Sequence, residues 1–276
     1  MLKGVLLGWA LAGLAGCASP GRQTRALLDQ PPQVPASYLI ENAPFIDQPE
    51  GHCGPATLTM AIQAQGLTKS LAEITPQVYT PGNRGSLQMD MVSSARRNGM
   101  LAVQIGTMSD MLTEIASGHP VIVFQNLGFS WLPKWHYALA VGYDLPKQEL
   151  VLHTGPNAFR RESMNRFEHG WKLGGYWGLT VIKPGELAAS ASELAHLTAA
   201  TGLEQADRQN EAERAYNSIL TRWPKSLGAL VGLGNITYKR GDYKSAIRHL
   251  KRATELHPDS VIARHNLSIA ETAAKR

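Results

Sequence analysis

Hydrophobic and polar positions change their spacing several times along the chain. Residues 4–16 form an unbroken apolar run. After a polar stretch rich in proline (Pro31, Pro32, Pro35), short apolar pieces at Tyr38–Ile40 and Phe45–Ile46 lead into helical spacing. Leu58, Ala61 and Ile62 predict a helix that starts near Cys53, presents one apolar face to a core and stops at Gly66. Leu87, Met91, Val92 and Ala95 predict a second helix between an N-cap at Ser86 and Gly99. Leu112, Ile115 and Ala116 predict a third, opened by Ser109 or Asp110 and closed by Gly118, with Leu101–Ile105 as a strand between the two. Beyond Gly118 the period shortens: Val121–Phe124, Tyr137–Val141, Leu150–Leu152 and Trp177–Ile182 read as β-strands separated by Gly, Pro, Asn and Asp. Helices followed by a small, mostly antiparallel sheet around one core is an α+β layout.

From Leu187 onward strand signals vanish and a repeat takes over. Leu230, Leu233, Gly234, Ala246, Leu250, Ala253 and Pro258 resemble the tetratricopeptide pattern, with Thr237 in place of its usual tyrosine. One period earlier, Ala212, Tyr216 and Pro224 mark a weaker copy, and 261–274 predicts an amphipathic helix that caps the array. Since about three such units are needed for independent stability, the pair is expected to lean on the preceding domain.

The apolar run of 4–16 is too short to span a bilayer comfortably and, after Lys3, has the form of an export signal. It ends in Leu14-Ala15-Gly16-Cys17, which resembles the lipobox of bacterial lipoproteins. That resemblance implies cleavage before Cys17 and lipidation of its thiol and amine. Ala18 and Ser19 after it favour, by the sorting pattern of Gram-negative lipoproteins, the outer membrane facing the periplasm. The expected organisation is therefore a signal peptide (1–16), a lipidated tether (17–37), an α+β domain (38–186) and an all-α repeat domain with a capping helix (187–276). The chain holds 2 cysteines, so acylation of Cys17 leaves Cys53 as the single free thiol of an exported protein and a candidate reactive group. A net charge of +5 comes from scattered basic residues with no nucleic-acid-binding motif. No H-E-x-x-H or paired-cysteine spacing implies a metal, and no cofactor is implied.

Cys53 precedes Gly54-Pro55, and Pro55 suits the first position of a helix, where a missing N–H costs nothing, so Cys53 is expected just before the helix start. A cysteine at a helix N-terminus has its thiolate favoured by unpaired N–H groups and the dipole. Such a nucleophile needs a base, and of the 9 histidines His136, at the edge of the strand leading to Asp144, is best placed. His52 adjoins the cysteine in sequence but neighbours rarely face each other; His119 reads as structural, Asp144 as a turn residue, and Arg160 and Arg161 as solvated. Trp131 and Trp135 before His136, with Trp171, Tyr176 and Trp177 near the last strand, could line a substrate groove or pack the core.

Gln48, Cys53-Gly-Pro-Ala-Thr-Leu, Gly118-His-Pro-Val-Ile-Val and His136-Tyr-Ala-Leu-Ala-Val-Gly-Tyr-Asp together resemble the papain-like peptidases that trim double-glycine leaders from bacteriocins. The resemblance covers roughly residues 40–184. It implies a papain-like α+β fold with Cys53 as nucleophile, His136 as base and Gln48 as oxyanion donor. Where the family carries an Asp-Pro pair to orient its histidine, this chain has Leu152-His-Thr154-Gly-Pro-Asn157, so Thr154 and Asn157 both stand as candidates for that role. The expected function is a lipid-anchored cysteine peptidase with a peptide or protein substrate and a protein partner on its repeats. The competing expectations are a peptide-binding scaffold with a degenerate peptidase domain, and an amidase or acyltransferase acting on cell-wall peptides.

Overall fold

A computed structural model describes residues 21–49 and 51–276. The export signal and Cys17, with the lipid anchor expected there, lie outside the described residues. In chain order the first part comprises α1 (Arg22–Asp29), β1 (Ser37–Leu39), α2 (Cys53–Ala64), α3 (Leu71–Val78), a ribbon of β2 (Tyr79–Thr80) and β3 (Gly85–Ser86), and α4 (Gln88–Arg97). It continues through β4 (Leu101–Ile105), α5 (Met108–Ala116), β5 (Val121–Asn126), β6 (Trp135–Asp144), β7 (Glu149–Thr154), β8 (Asn157–Ser163), α6 (Met164–Leu173) and β9 (Gly178–Ile182). The repeat region is α7 (Glu193–Gln205), α8 (Gln209–Arg222), α9 (Leu227–Lys239), α10 (Tyr243–Leu256) and α11 (Val261–Ala273).

One antiparallel sheet runs in the order β4-β9-β5-β6-β7-β8, with β1 paired to the far end of β6. Its central strands read as continuous apolar runs because both faces are covered. Ile122, Tyr137, Leu139 and Val141 point into a core with α2, α3 and α4. Their neighbours Val121, Val123, Ala138 and Ala140 point into a second core with α1, α5 and α6. The α+β class stands, but the single core expected between helices and sheet is two cores on opposite faces.

Helix α2 is buried almost all round, from Gly54 to Ile62, so the one-faced helix expected here is instead the centre of the first core. Thr57 and Thr59 tolerate that burial by returning their hydroxyls to the carbonyls of Cys53 and Pro55. Gly66 ends the helix at φ +75°, a left-handed conformation that suits glycine. Helix α4 begins after Leu87, not at Ser86, which belongs to β3; α5 is capped by Thr107, whose Oγ1 accepts from the Asp110 N–H at 3.0 Å.

Residues 22–29 correct the expectation of a tether from 17 to 37. They form α1, with Thr24 and Leu27 buried. The unsatisfied N–H groups of its first turn are met by the Glu168 carboxylate of α6, which accepts from Gln23 N at 2.8 Å and Thr24 N at 2.7 Å.

The repeats lean on the domain as expected. Leu101 and Val103 of β4 and Ile182 of β9 share a core with Ala199, Ala200 and Leu203 of α7, so the helical region covers the edge of the sheet. Small residues set the helix spacing: a Cβ on Gly232 would lie 2.5 Å from the Tyr216 ring, and one on Gly234 2.6 Å from Leu250 Cγ. The segment joining the two parts is held by Glu114, 0% exposed. Its carboxylate accepts from Ser190 N at 2.7 Å and Ser190 Oγ at 2.6 Å and lies 2.9 Å from His119 Nδ1. His119 is therefore structural, and Asp144 accepts from Lys147 N at the β6–β7 turn.

Candidate active site

Cys53 opens α2, and Pro55 stands third in the helix, still among the positions whose N–H has no intrahelical partner. Gly54 is required by what lies above it: a Cβ there would sit 2.3 Å from Ser86 Oγ. Ser86 is fixed in turn, its carbonyl accepting from the Tyr137 hydroxyl at 3.2 Å. The start of α2, β3 and the start of β6 thus enclose a cavity of about 890 Å³ whose wall includes Gln48, Cys53, Arg84, Phe124, Trp135 and His136.

His136 stands at the second position of β6, where strand pairing with Gln125 of β5 fixes its backbone. Its Nε2 lies 2.8 Å from Thr154 Oγ1 at the end of β7. That contact selects between the two candidates for orienting the ring: Thr154 holds it, while Asn157 lies exposed at the start of β8 across the turn. With Nε2 engaged, Nδ1 is the ring nitrogen left for the cavity. The backbone N–H of Tyr137, the residue after His136, interacts with the Cys53 thiol, and Cys53 and His136 line the same cavity. His153 is no rival base, because its Nε2 faces the Ala43 carbonyl at 3.3 Å and its Nδ1 accepts from Phe159 N at 3.1 Å. His52 instead stacks on Tyr79 with ring centroids 4.9 Å apart.

Gln48 is buried at 8% exposure, and its carboxamide is oriented by the loop after Thr154. Its Oε1 accepts from Gly155 N at 3.0 Å, and Gln48 N donates to Gly155 O at 3.4 Å. The amide nitrogen Nε2 is buried and has no acceptor. An unsatisfied buried N–H₂ is costly, and Gln48 shares the cavity wall with Cys53.

The electrostatics depart from the expected activated thiolate. Burial pushes the Cys53 thiol up from its ordinary value, outweighing the opposing hydrogen bonds from the backbone N–H groups of Tyr137, Gly54 and Cys53 itself. Burial also pushes His136 down to about 4, with the positive charges of Lys134 and Arg160 acting in the same direction. The pair therefore rests as neutral thiol and neutral imidazole. Arg160 is exposed as expected, yet its charge reaches the ring; Arg161 is paired with Glu149 at 3.2 Å.

Of the aromatic residues proposed for a groove, Trp135 lines the cavity, stacked on Phe124 with centroids 5.1 Å apart. Trp131 does not; it is 76% exposed beyond the rim. Trp171 is fully buried and donates to the Trp177 carbonyl at 2.8 Å, so it packs the core. Arg84, in a left-handed conformation at φ 47°, belongs to the cavity wall without being singled out by the sequence, and so does Ser86, which the sequence marks only as a helix cap. Among the described residues no group of three or more His, Cys, Asp or Glu is arranged to hold a metal.

Residues 40–178 match the Peptidase_C39 like family, and residues 234–270 match a TPR repeat. No curated protein matches the chain. Among solved structures, it is similar to a C39-like peptidase from Bacillus anthracis, at 16% identity and a TM-score of 0.47 over 53% of this chain and 98% of that one. It is also similar to the peptidase domain of Streptococcus ComA, a bi-functional ABC transporter involved in a quorum-sensing pathway, at 20% identity and a TM-score of 0.42 over 51% and 98% of the two chains.

Proposed function

Because the chain belongs to the Peptidase_C39 like family, we propose that it is a cysteine peptidase in which Cys53 attacks the substrate carbonyl, His136 moves the proton and Gln48 stabilises the oxyanion. The observation that supports this most is that Gln48, Cys53 and His136 line one cavity, with the Gln48 carboxamide held through Oε1 and its Nε2 left without a partner.

The reaction starts from the neutral pair. As the thiol attacks, its proton passes to His136, and sulfur bonds to the carbonyl carbon while the carbonyl oxygen becomes an oxyanion. Gln48 Nε2 and the Cys53 backbone N–H donate to that oxygen. His136, held by Thr154, then returns the proton to the departing amine, and water releases the acyl group. The repeat region presents helical surface of the kind that binds extended peptides, so it is assigned the role of holding a partner or substrate protein. The proposal extends to the cell envelope: the resemblance of Leu14-Ala15-Gly16-Cys17 to a lipobox supports a lipoprotein, and Ala18 and Ser19 support anchoring in the outer membrane facing the periplasm.

A second reading has one observation in its favour. The ring of His136 is held by a neutral hydroxyl where a carboxylate would stabilise its protonated form. A domain of that kind could bind peptides without cleaving them.

Incubation of the purified full chain with a quenched-fluorescent peptide mixture separates the readings. The peptidase is expected to release fluorescence, and Cys53→Ala and His136→Ala to abolish it. Equal signal in wild type and Cys53→Ala, or a biological phenotype that survives Cys53→Ala but not loss of the repeats, would give the scaffold. Turnover of defined cell-wall peptides alone would make the enzyme an amidase of the same chemistry.

A further inference from the structure

The loop between β5 and β6 places Leu127, Phe129, Trp131 and Leu132 in solvent at 50%, 64%, 76% and 60% exposure, with Trp135 at 51% at its base. Exposed aromatic and aliphatic side chains concentrated on one short loop call for a specific cover. The loop is built to hold them out. Asn126 Oδ1 accepts from Gly128 N at 2.9 Å and Lys134 N at 2.8 Å, and Asn126 Nδ2 donates to Phe129 O at 3.2 Å. Phe129 and Leu132 exchange both backbone hydrogen bonds, at 3.1 and 3.2 Å, and Leu127 N donates to Lys134 O at 2.9 Å. Phe129 and Trp131 stack with centroids 5.6 Å apart.

We propose that this loop is a membrane-docking finger that seats in the headgroup region of a bilayer containing anionic lipid. Its composition is that of an interfacial segment, with Trp, Phe and Leu beside an exposed Lys134. The chain carries no acidic residue between Glu114 and Asp144 that a lipid surface would repel.

The finger's base and the N-terminal segment both touch helix α6. Gly21 N donates to Asn165 Oδ1 of α6 at 2.8 Å, and Gly170 of the same helix abuts the Asn126 carbonyl at the finger's base, a Cβ there lying 3.2 Å from that oxygen. The two points are only about 8 Å apart along the helix axis. Arg22 and Lys172, both exposed, flank them and add positive charge for anionic headgroups. The apolar run of 4–16 precedes this junction in the sequence.

Other occupants fit less well. Of the five apolar side chains only Trp135 lines the catalytic cavity, so a peptide held there leaves four uncovered. The loop's backbone is paired to itself and offers no strand edge to a peptide. Four exposed side chains on one short loop are a poor match for the roughly 800 Å² per partner of a stable protein interface. The inference rests on no step of the chemistry proposed for Cys53. It gives the cavity an orientation: with Trp135 at both the finger's base and the cavity wall, the site opens close to the lipid surface, where a membrane-borne peptide substrate would reach it.

The test uses the full chain on vesicles of equal parts brominated phosphatidylcholine and phosphatidylglycerol, with tryptophan emission as the readout. Bromolipid quenching is expected to fall by roughly a third or more in Trp131→Phe, the signature of an interfacial Trp lost. The change Phe129→Ser with Leu132→Ser, on exposed positions that leave the core untouched, is expected to reduce quenching while the chain stays on the vesicles. Equal quenching in wild type and Trp131→Phe would overturn the finger, whether the loop stays in water or is covered by a second copy of the chain.

Discussion

His136 Nε2 lies 2.8 Å from Thr154 Oγ1, and this one contact decides which nitrogen of the imidazole serves the cavity. A threonine hydroxyl fixes the ring without adding charge. Thr154→Ala is expected to lower kcat/KM for peptide cleavage by about ten- to a hundredfold, mainly in kcat, because the proton carrier is retained but no longer oriented. Thr154→Asp should restore activity and raise the His136 pKa, since a carboxylate favours the imidazolium. A pH titration of the ring in both variants checks the assignment: no upward movement in Thr154→Asp would remove Thr154 from it.

The pH dependence follows from the same environment. His136 is held down to about 4 by burial and by Lys134 and Arg160, so its basic form persists through mildly acidic conditions. Activity is expected to rise through about pH 4 and stay level until the thiol, whose pKa is raised, begins to ionise. The stability linkage has a definite sign. The unfolded chain binds a proton to this histidine at higher pH than the folded one does, so stability should fall as pH drops from the ordinary histidine value toward about 4. Lys134→Ala and Arg160→Ala should each move the acid limb upward, read from initial rates across the pH range.

Gln48 separates oxyanion stabilisation from nucleophilicity. Gln48→Ala should cost on the order of 10²–10³ in kcat for acyl transfer. Alkylation of Cys53 by iodoacetamide passes through no oxyanion, so its rate should be nearly unchanged. A parallel loss of both would show that Gln48 only supports the structure around Gly155.

Glu114 is the buried charge that fastens the segment leading to the repeats. Burial raises its pKa, but hydrogen bonds from His119 and the Ser190 side chain and backbone outweigh that and leave it below the ordinary carboxylate value. Its contribution is therefore present above the unfolded carboxylate pKa and lost as pH falls through the lower folded value. Glu114→Ala should destabilise the protein by about 3 kcal/mol, since it leaves the Ser190 N–H and His119 Nδ1 without their acceptor. Urea denaturation at neutral pH, compared with a smaller loss in Glu114→Gln, checks this.

What the sequence makes legible divides along physical lines. That Cys53, Gln48 and His136 share one cavity is readable because each sits in a short local pattern, and the repeats because their small residues recur wherever helices must approach closely. The choice between Thr154 and Asn157 is not readable, since a two-residue turn brings both to the same end of the sheet as direct partners, and only the contact of Thr154 with the His136 ring and the exposure of Asn157 separate them. Helix α1 is hidden because its N-terminus is completed by Glu168, distant in sequence. Helices α3 and α6 are absent from the predicted elements although each carries a signal, the capping box of Ser70 with Glu73 and the spacing of Met164, Phe167 and Trp171 behind the N-cap Ser163. Strand β8 has no such signal, because it is an exposed edge without an apolar face. The raised thiol pKa is also invisible in the motif: the helix start argues for a thiolate, and only the enclosure of Cys53 shows that burial wins.

The central claim is that Cys53 and His136 act as one unit, and the most direct measurement is the second-order rate of Cys53 alkylation by iodoacetamide at neutral pH in wild type and His136→Ala. With the thiol protonated at rest, the base must take its proton, so the variant is expected to react at least about tenfold more slowly. Equal rates in the two proteins would contradict the account.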